Sequence, residues 1–211
     1  TSVATPRTAN PQEEYVVLTA PQTNKNTVRI DNWTLRNKEG VTFQIGEASR
    51  IPYQGQVNQE SPLHLSPGER VYVVTGNSPI GVSFKENVCS GYLEQFQDFV
   101  PPITRSCPDA GVDALRAEGS YSNQCAQYVS SLPACEVHLG ENPDFVSNAC
   151  VSYIRNQKTY NGCVDAHKHD VDFLTSVWRV YLGENSEIWN NKSDLIRLYN
   201  RDGRLVDTRS Y

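Results

Sequence analysis

The stretch "DAHKHDVD", residues 165–172, holds the densest group of metal-ligating side chains in the chain. On a helix, Asp165, His169 and Asp172 recur at i, i+4 and i+7, so they would share one face and could hold a divalent cation. His167 and Asp170 would form a second pair one turn apart. That chemistry would suit a secreted metal-dependent hydrolase or nuclease, the alternative to a non-catalytic role. The simpler reading is a solvated helix face, with local Asp–His hydrogen bonds and acids favoured near a helix N-terminus. On that reading the chain has no metal site and no catalytic residue.

Other chemistry finds little support. There is no G-x-S-x-G elbow for a nucleophilic serine, and the phosphate-loop and dinucleotide glycine patterns are absent, so no cofactor is expected. His64 and His138 stand without an evident partner and read as surface histidines. Glu13 and Glu14 are sequence neighbours, which gives no glycosidase geometry. Tyr92, Phe96 and Phe99 fall at helical intervals and read as a stripe packed on the core rather than as a recognition strip. Asn32-Trp33-Thr34 and Asn191-Lys192-Ser193 match the N-glycosylation pattern, which matters only in a host that glycosylates.

Six cysteines, Cys89, Cys107, Cys125, Cys135, Cys150 and Cys163, lie in one stretch, and none forms a C-x-x-C pair. An even number at wide spacing predicts three disulfides in an oxidising compartment rather than a zinc site. Fifteen pairings are open. The chain order favours Cys89 with Cys107, Cys135 with Cys150 and Cys125 with Cys163.

The formal charge of −5 over 211 residues argues against a nucleic-acid partner, which calls for excess Lys and Arg. Arg29, Arg36 and Lys38 read as a solvated sheet edge. No run of eighteen apolar residues is present, so no membrane insertion is expected. Apolar residues make up 38%, a hydrophilic chain with a modest core. A start at Thr1-Ser2 and a lack of methionine suggest a processed piece of something longer. Residues 1–13 read as a linker from an upstream signal or anchor.

The elements that would position these residues fall into three regions. From Glu14 to 86 the segments "EYVVL", "NTVRIDNWTL", "VTFQI" and "RVYVVTG" predict strands, with a bend near Asp31-Asn32 placing Trp33 in the core. Pro67-Gly68 suits the centre of a type II turn. Residues 87–185 change texture. "SNQCAQYVSSL", "NPDFVSNACVSYIRNQ" with Asn142-Pro143 at its start, and "CVDAHKHDVDFLTSVWRVYLG" up to a Gly183 cap all predict helices. Trp178 and Trp189 would pack at the junction of this insert with the sheet. Residues 186–211 return to strands around the turn Asn200-Arg201-Asp202-Gly203.

The pieces "EYVVL", "IDNWTLRN", "LSPGERVYVV" and "DLIRLYNRDGRLVDTRSY" together resemble the lamin-tail domain family, of the bacterial secreted or surface type. The resemblance covers about 14–84 and 186–211; ordinary members lack the cysteine-rich insert. It implies an immunoglobulin-like antiparallel β-sandwich; with the cysteine-rich region between its two parts, the expected fold is α+β, that sandwich interrupted by a disulfide-stapled helical insert. It implies no catalytic residues, a core Trp33 and a Tyr211 packed at the sheet end. The expected role is a non-catalytic binding or structural module of a larger secreted or surface-anchored protein. Its partner would be another protein or a surface polymer, and the insert would supply the recognition surface.

Overall fold

Strands form here wherever β-branched and aromatic residues run for a few positions between turn residues. The computed structural model describes residues 9–108, 115 and 121–211. The fold is α+β, with mostly antiparallel sheets, helices in the middle of the chain and three disulfides. It divides into two units, one running up to Glu86 and resuming at Thr175–Tyr211, the other Asn87–Leu174.

The described residues of the first unit hold ten strands, β1 (Tyr15–Thr19), β2 (Val28–Arg29), β3 (Thr34–Arg36), β4 (Thr42–Gln44), β5 (His64–Leu65), β6 (Arg70–Val74), β7 (Phe84–Asn87), β8 (Leu174–Tyr181), β9 (Leu195–Tyr199) and β10 (Leu205–Ser210), with the ends of β7 and β8 reaching the unit boundary. One sheet has the order β1-β6-β8-β7, a second β10-β9-β3-β4, and β2 pairs with β5. Both larger sheets contribute to one buried cluster. The first supplies Val16, Leu18, Val71, Val73, Trp178 and Val180, and the second supplies Leu35, Ile196 and Leu198. Register explains the set: Val16 stands opposite Val73, Val71 opposite Trp178, and Val73 opposite Val180, so these side chains line one face.

The other face of the first sheet is buried as well, with Val17, Val74 and Val177 closed off. Arg179, 1% exposed, donates from Nε to Glu86 Oε1 at 2.5 Å, and its guanidinium lies 5.5 Å from the Tyr72 ring centre. Burial on both faces is why "RVYVV" and "LTSVWRVY" read as nearly continuous apolar runs.

Turns and bends set the remaining path. Asn32 takes φ +63, and the Trp33 amide donates to Ile30 O, which bends the chain between β2 and β3. Gly68 has φ +85, and the Glu69 amide returns to Ser66 O, as the type II turn requires. In the closing hairpin Gly203 has φ +74, while Asn200 Oδ1 accepts from the Asp202 and Arg204 amides. That hairpin adds β9 alongside β3, so the C-terminal strands complete a sheet begun in the N-terminal half. Of the segment expected as a linker, 1–8 lie outside the described residues. Within its described part Pro11 O accepts from the Gly76 amide.

Sheet pairing corrects one expectation. The first sheet is mixed, because β6 and β8 run parallel, Arg70 opposite Val177 through Val74 opposite Tyr181. Parallel neighbours need a long crossover, and residues 75–173 supply it.

A second correction concerns "CVDAHKHDVDFLTSVWRVYLG". Its helix stops at His167, and Leu174–Tyr181 is the strand β8. The β-branched and aromatic content of "LTSVWRVY" favours a strand, and pairing with β6 outweighs the helical spacing. Trp178, 5% exposed, is therefore a sheet residue.

In the second unit the described helices are α1 (Asn123–Ser131), α2 (Asn148–Gln157) and α3 (Tyr160–His167), preceded by a 3₁₀ turn at Ser90–Gln95. Each α-helix opens on a hydroxyl cap: Ser122, Ser147 and Thr159 accept from the amides of Cys125, Cys150 and Gly162. So α2 begins at Asn148, not at Asn142-Pro143, where only a turn forms, the Val146 amide donating to Pro143 O. Gly162 is needed for close approach, since a Cβ there would lie 2.1 Å from Asn156 O.

All six cysteines are bonded, as Cys89–Cys163, Cys107–Cys135 and Cys125–Cys150. None of the three pairings expected from chain order forms. Cys125 and Cys150 occupy the first turns of α1 and α2 and join those two helix starts, a choice made by helix packing around Leu115, Ala126, Val129 and Ile154.

Candidate functional site

The end of α3 separates the candidate metal ligands. Asp165 is on the helix, whereas His169 and Asp172 follow its last residue and lie exposed in the turn before β8, so no i, i+4, i+7 face exists. Asp165 Oδ1 accepts from Lys168 Nζ at 2.8 Å, and Asp170 Oδ2 lies 2.8 Å from His167 Nδ1. Among the described residues no three His, Cys, Asp or Glu side chains are grouped to hold a metal ion. The histidine expected to stand alone, His138, has its Nε2 3.2 Å from the Tyr128 hydroxyl. His64 Nδ1 contacts Pro62 O at 2.9 Å.

The aromatic stripe splits. Tyr92 and Phe99 are buried, whereas Phe96 is 55% exposed. Trp33 and Tyr211 are partly buried against the main cluster, and the Tyr211 hydroxyl donates to Asn190 O. At the sequons, Asn32 Nδ2 donates to Asp31 and Asn191 Nδ2 to Glu187.

Two buried carboxylates serve the frame. Asp31, fully buried, accepts a bidentate pair from Arg29 at 2.7–3.0 Å and a longer bond from Arg201 at 3.3 Å. The Arg29 hydrogen bonds hold its pKa below the ordinary carboxylate value, against the opposing effect of burial. Glu14 accepts from the Thr75 hydroxyl and from the Ile188 and Trp189 amides, tying the start of β1 to the segment before β9. Burial pushes its pKa up, and the three hydrogen bonds only partly offset that.

Two cavities of the strand unit, among the described residues, are occupied by framework contacts or are mostly apolar. A cavity of about 420 Å³ is lined by Glu39, Glu184, Glu187 and Asp194 beside Phe43 and Trp189. Asp194 is spent on the amides of Lys38, Asn190 and Leu195, and Glu187 on Asn191. A second cavity, of about 350 Å³, is mostly apolar, between Leu18, Ile30, Trp33, Leu65, Leu198 and Val206.

The outward face of the second sheet offers more. In the sheet β10-β9-β3-β4 the core takes Leu35, Phe43, Ile196 and Leu198, so strand alternation turns the other parity outward. The register places Thr42, Arg36, Arg197 and Thr208 side by side on one rung. Gln44, Thr34, Tyr199 and Leu205 make the next. None of these eight side chains is acidic, although the chain carries 24 Asp and Glu against 19 Lys and Arg. Arg36 and Arg197 stand directly opposite one another. Arg36 Nε donates to Gly40 O at 3.2 Å, and Arg197 has no ion-pair partner among the described residues.

Sequence reasoning placed Arg36, with Arg29 and Lys38, on a solvated sheet edge and did not single out Arg197. The alternation in "TLR" and "LIRLY" marks each arginine as outward, but their adjacency depends on a pairing between distant strands.

Comparison with protein-family models, with curated proteins and with solved structures finds no match to this chain. No helix among the described residues is long and apolar enough to cross a membrane.

Proposed function

We propose that this chain is a non-catalytic, extracytoplasmic binding module of a larger secreted or surface-anchored protein, built on a lamin-tail-like, immunoglobulin-like sandwich. Three disulfides and no free cysteine among the described residues support an oxidising compartment. Two sheets sharing one core, and a closing hairpin that pairs with β3, support the sandwich reading. The parallel β6–β8 pair is a variation within it.

The observation that carries the binding role is the pair of acid-free outward rungs of the β10-β9-β3-β4 sheet, which carry two arginines on an acidic chain. An open strand face suits an extended partner, whereas small-molecule catalysis needs a concave site with convergent titratable groups. On this reading recognition belongs to the strand unit, in place of the insert expected from the sequence.

Hydrogen exchange in the presence of extracellular polymers and surface proteins tests this reading. Protection is expected on β3 and β9. Turnover of a substrate that depends on added metal and is lost in His169→Ala would instead favour the hydrolase.

A further inference from the structure

We infer that the outer face of the β10-β9-β3-β4 sheet binds a carboxylated glycan, a polysaccharide containing uronic acid, with Arg36 and Arg197 clasping a sugar carboxylate. The inference rests on the binding-module reading and names its ligand class.

The first argument is the cost of the free state. Like charges directly opposite on neighbouring strands oppose sheet formation, and Arg36 faces Arg197 with no carboxylate on either rung between or beside them. An anion seated between the two guanidiniums would turn that repulsion into two charge-assisted contacts. Residue type points the same way, because the planar fork of arginine matches a carboxylate with two parallel hydrogen bonds, which lysine cannot do.

The surroundings then select among anions. Thr34, Thr42 and Thr208 offer hydroxyls, and Gln44 an amide, on the same exposed rungs. Those groups pair with a hydroxyl-rich ligand. Tyr199, half-exposed in the middle of the second rung, presents an apolar plate with a polar tip, suited to the C–H face of a sugar ring. Charge density argues against a duplex nucleic acid, which carries a negative charge about every 1.7 Å along its axis and needs many cations. Two arginines on a chain of net charge −5 match a ligand whose charges are sparse.

The test uses the full chain with its disulfides intact. Backbone amide NMR shifts are followed while oligogalacturonate, its methyl-esterified form and a duplex oligonucleotide are added in turn. Oligogalacturonate should shift β3 and β9 resonances, and esterification should weaken binding at least about ten-fold, the scale of a lost charge-assisted pair. Arg197→Thr should lose affinity to a similar degree. Its thermal midpoint should stay the same or rise by about 1–3 °C, because the like-charge contact is gone. A merely structural arginine would lower that midpoint. Binding that ignores esterification, or survives Arg197→Thr unchanged, overturns the carboxylate clasp but leaves a binding module. Preferential binding of the oligonucleotide to the same strands does the same. Shifts confined to residues outside this sheet, with any of the polymers, overturn both the ligand and the placement of the surface.

Discussion

The two units hold themselves together by different means. The strand unit buries one large apolar cluster fed by both larger sheets, and all three disulfides lie outside it. The middle unit has a small cluster, Leu115, Cys125, Ala126, Val129, Cys150 and Ile154, and a third of those residues are cysteines joined to each other. Its described helices run only eight to ten residues, lengths at which an isolated helix is marginal in water. Where burial is limited, cross-links and caps replace it. Where strands can align valines into rows, burial suffices.

The comparison can be broken most decisively at the cross-links. Joint Cys89→Ser and Cys163→Ser substitution opens a loop of separation 74, worth about 4–5 kcal/mol by the chain-entropy relation. The helical signal in circular dichroism should collapse while much of the strand signal stays. Parallel loss of both would show that the units do not differ as described.

The reciprocal change is Leu35→Ala, a fully buried side chain between Phe43 and Leu198 on neighbouring strands. Removal should cost the strand unit about 2–5 kcal/mol. Urea unfolding followed by tryptophan fluorescence should move to lower concentration, while helix content persists under non-reducing conditions.

Asp31→Asn sharpens the picture of what else the strand unit relies on. It removes the carboxylate shared by Arg29 and Arg201 and should cost about 1–3 kcal/mol, discounted because both arginines are partly exposed. Its folded pKa lies below the unfolded one, so its contribution is complete above the ordinary carboxylate range and disappears as pH falls through the folded value. Glu14 has the opposite sign. Its raised pKa opposes folding at neutral pH and is relieved as pH falls toward the ordinary carboxylate range. Stability measured from pH 7 to pH 3 should therefore decline less steeply at its acid end in Asp31→Asn than in the parent.

The smallest effect is expected at the closing turn. Gly203 has φ +74 and open space where a Cβ would sit, so Gly203→Ala should carry only the left-handed backbone cost, about 1–2 kcal/mol. A larger fall in midpoint would mean that the turn nucleates β9 against β3.

Much of the fold was legible because local signals had single readings. Pro67-Gly68, the bend at Asp31-Asn32 and the Asn200–Gly203 turn each require backbone conformations that few residues accept, and those residues are present. The apolar spacing in "SNQCAQYVSSL" announced α1, and Ser122 caps it. The candidate site was less legible. "DAHKHDVD" satisfies helical spacing on paper, yet the helix ends inside it, because the following residues bury more as a strand than as further turns. Asn142-Pro143 has the form of a helix start but gives only a turn, and Ser147 caps α2 instead.

By itself the sequence determined most strand segments other than Leu174–Tyr181, the positive-φ turns and a set of cysteines suited to an oxidising compartment, all properties of residues within a few positions of each other. Tertiary structure alone decided that Cys89 meets Cys163, that "LTSVWRVY" runs parallel to β6, and that Arg36 faces Arg197. Those outcomes depend on which distant segments bury the most surface together, and local preferences of about a kilocalorie per residue yield to that larger sum.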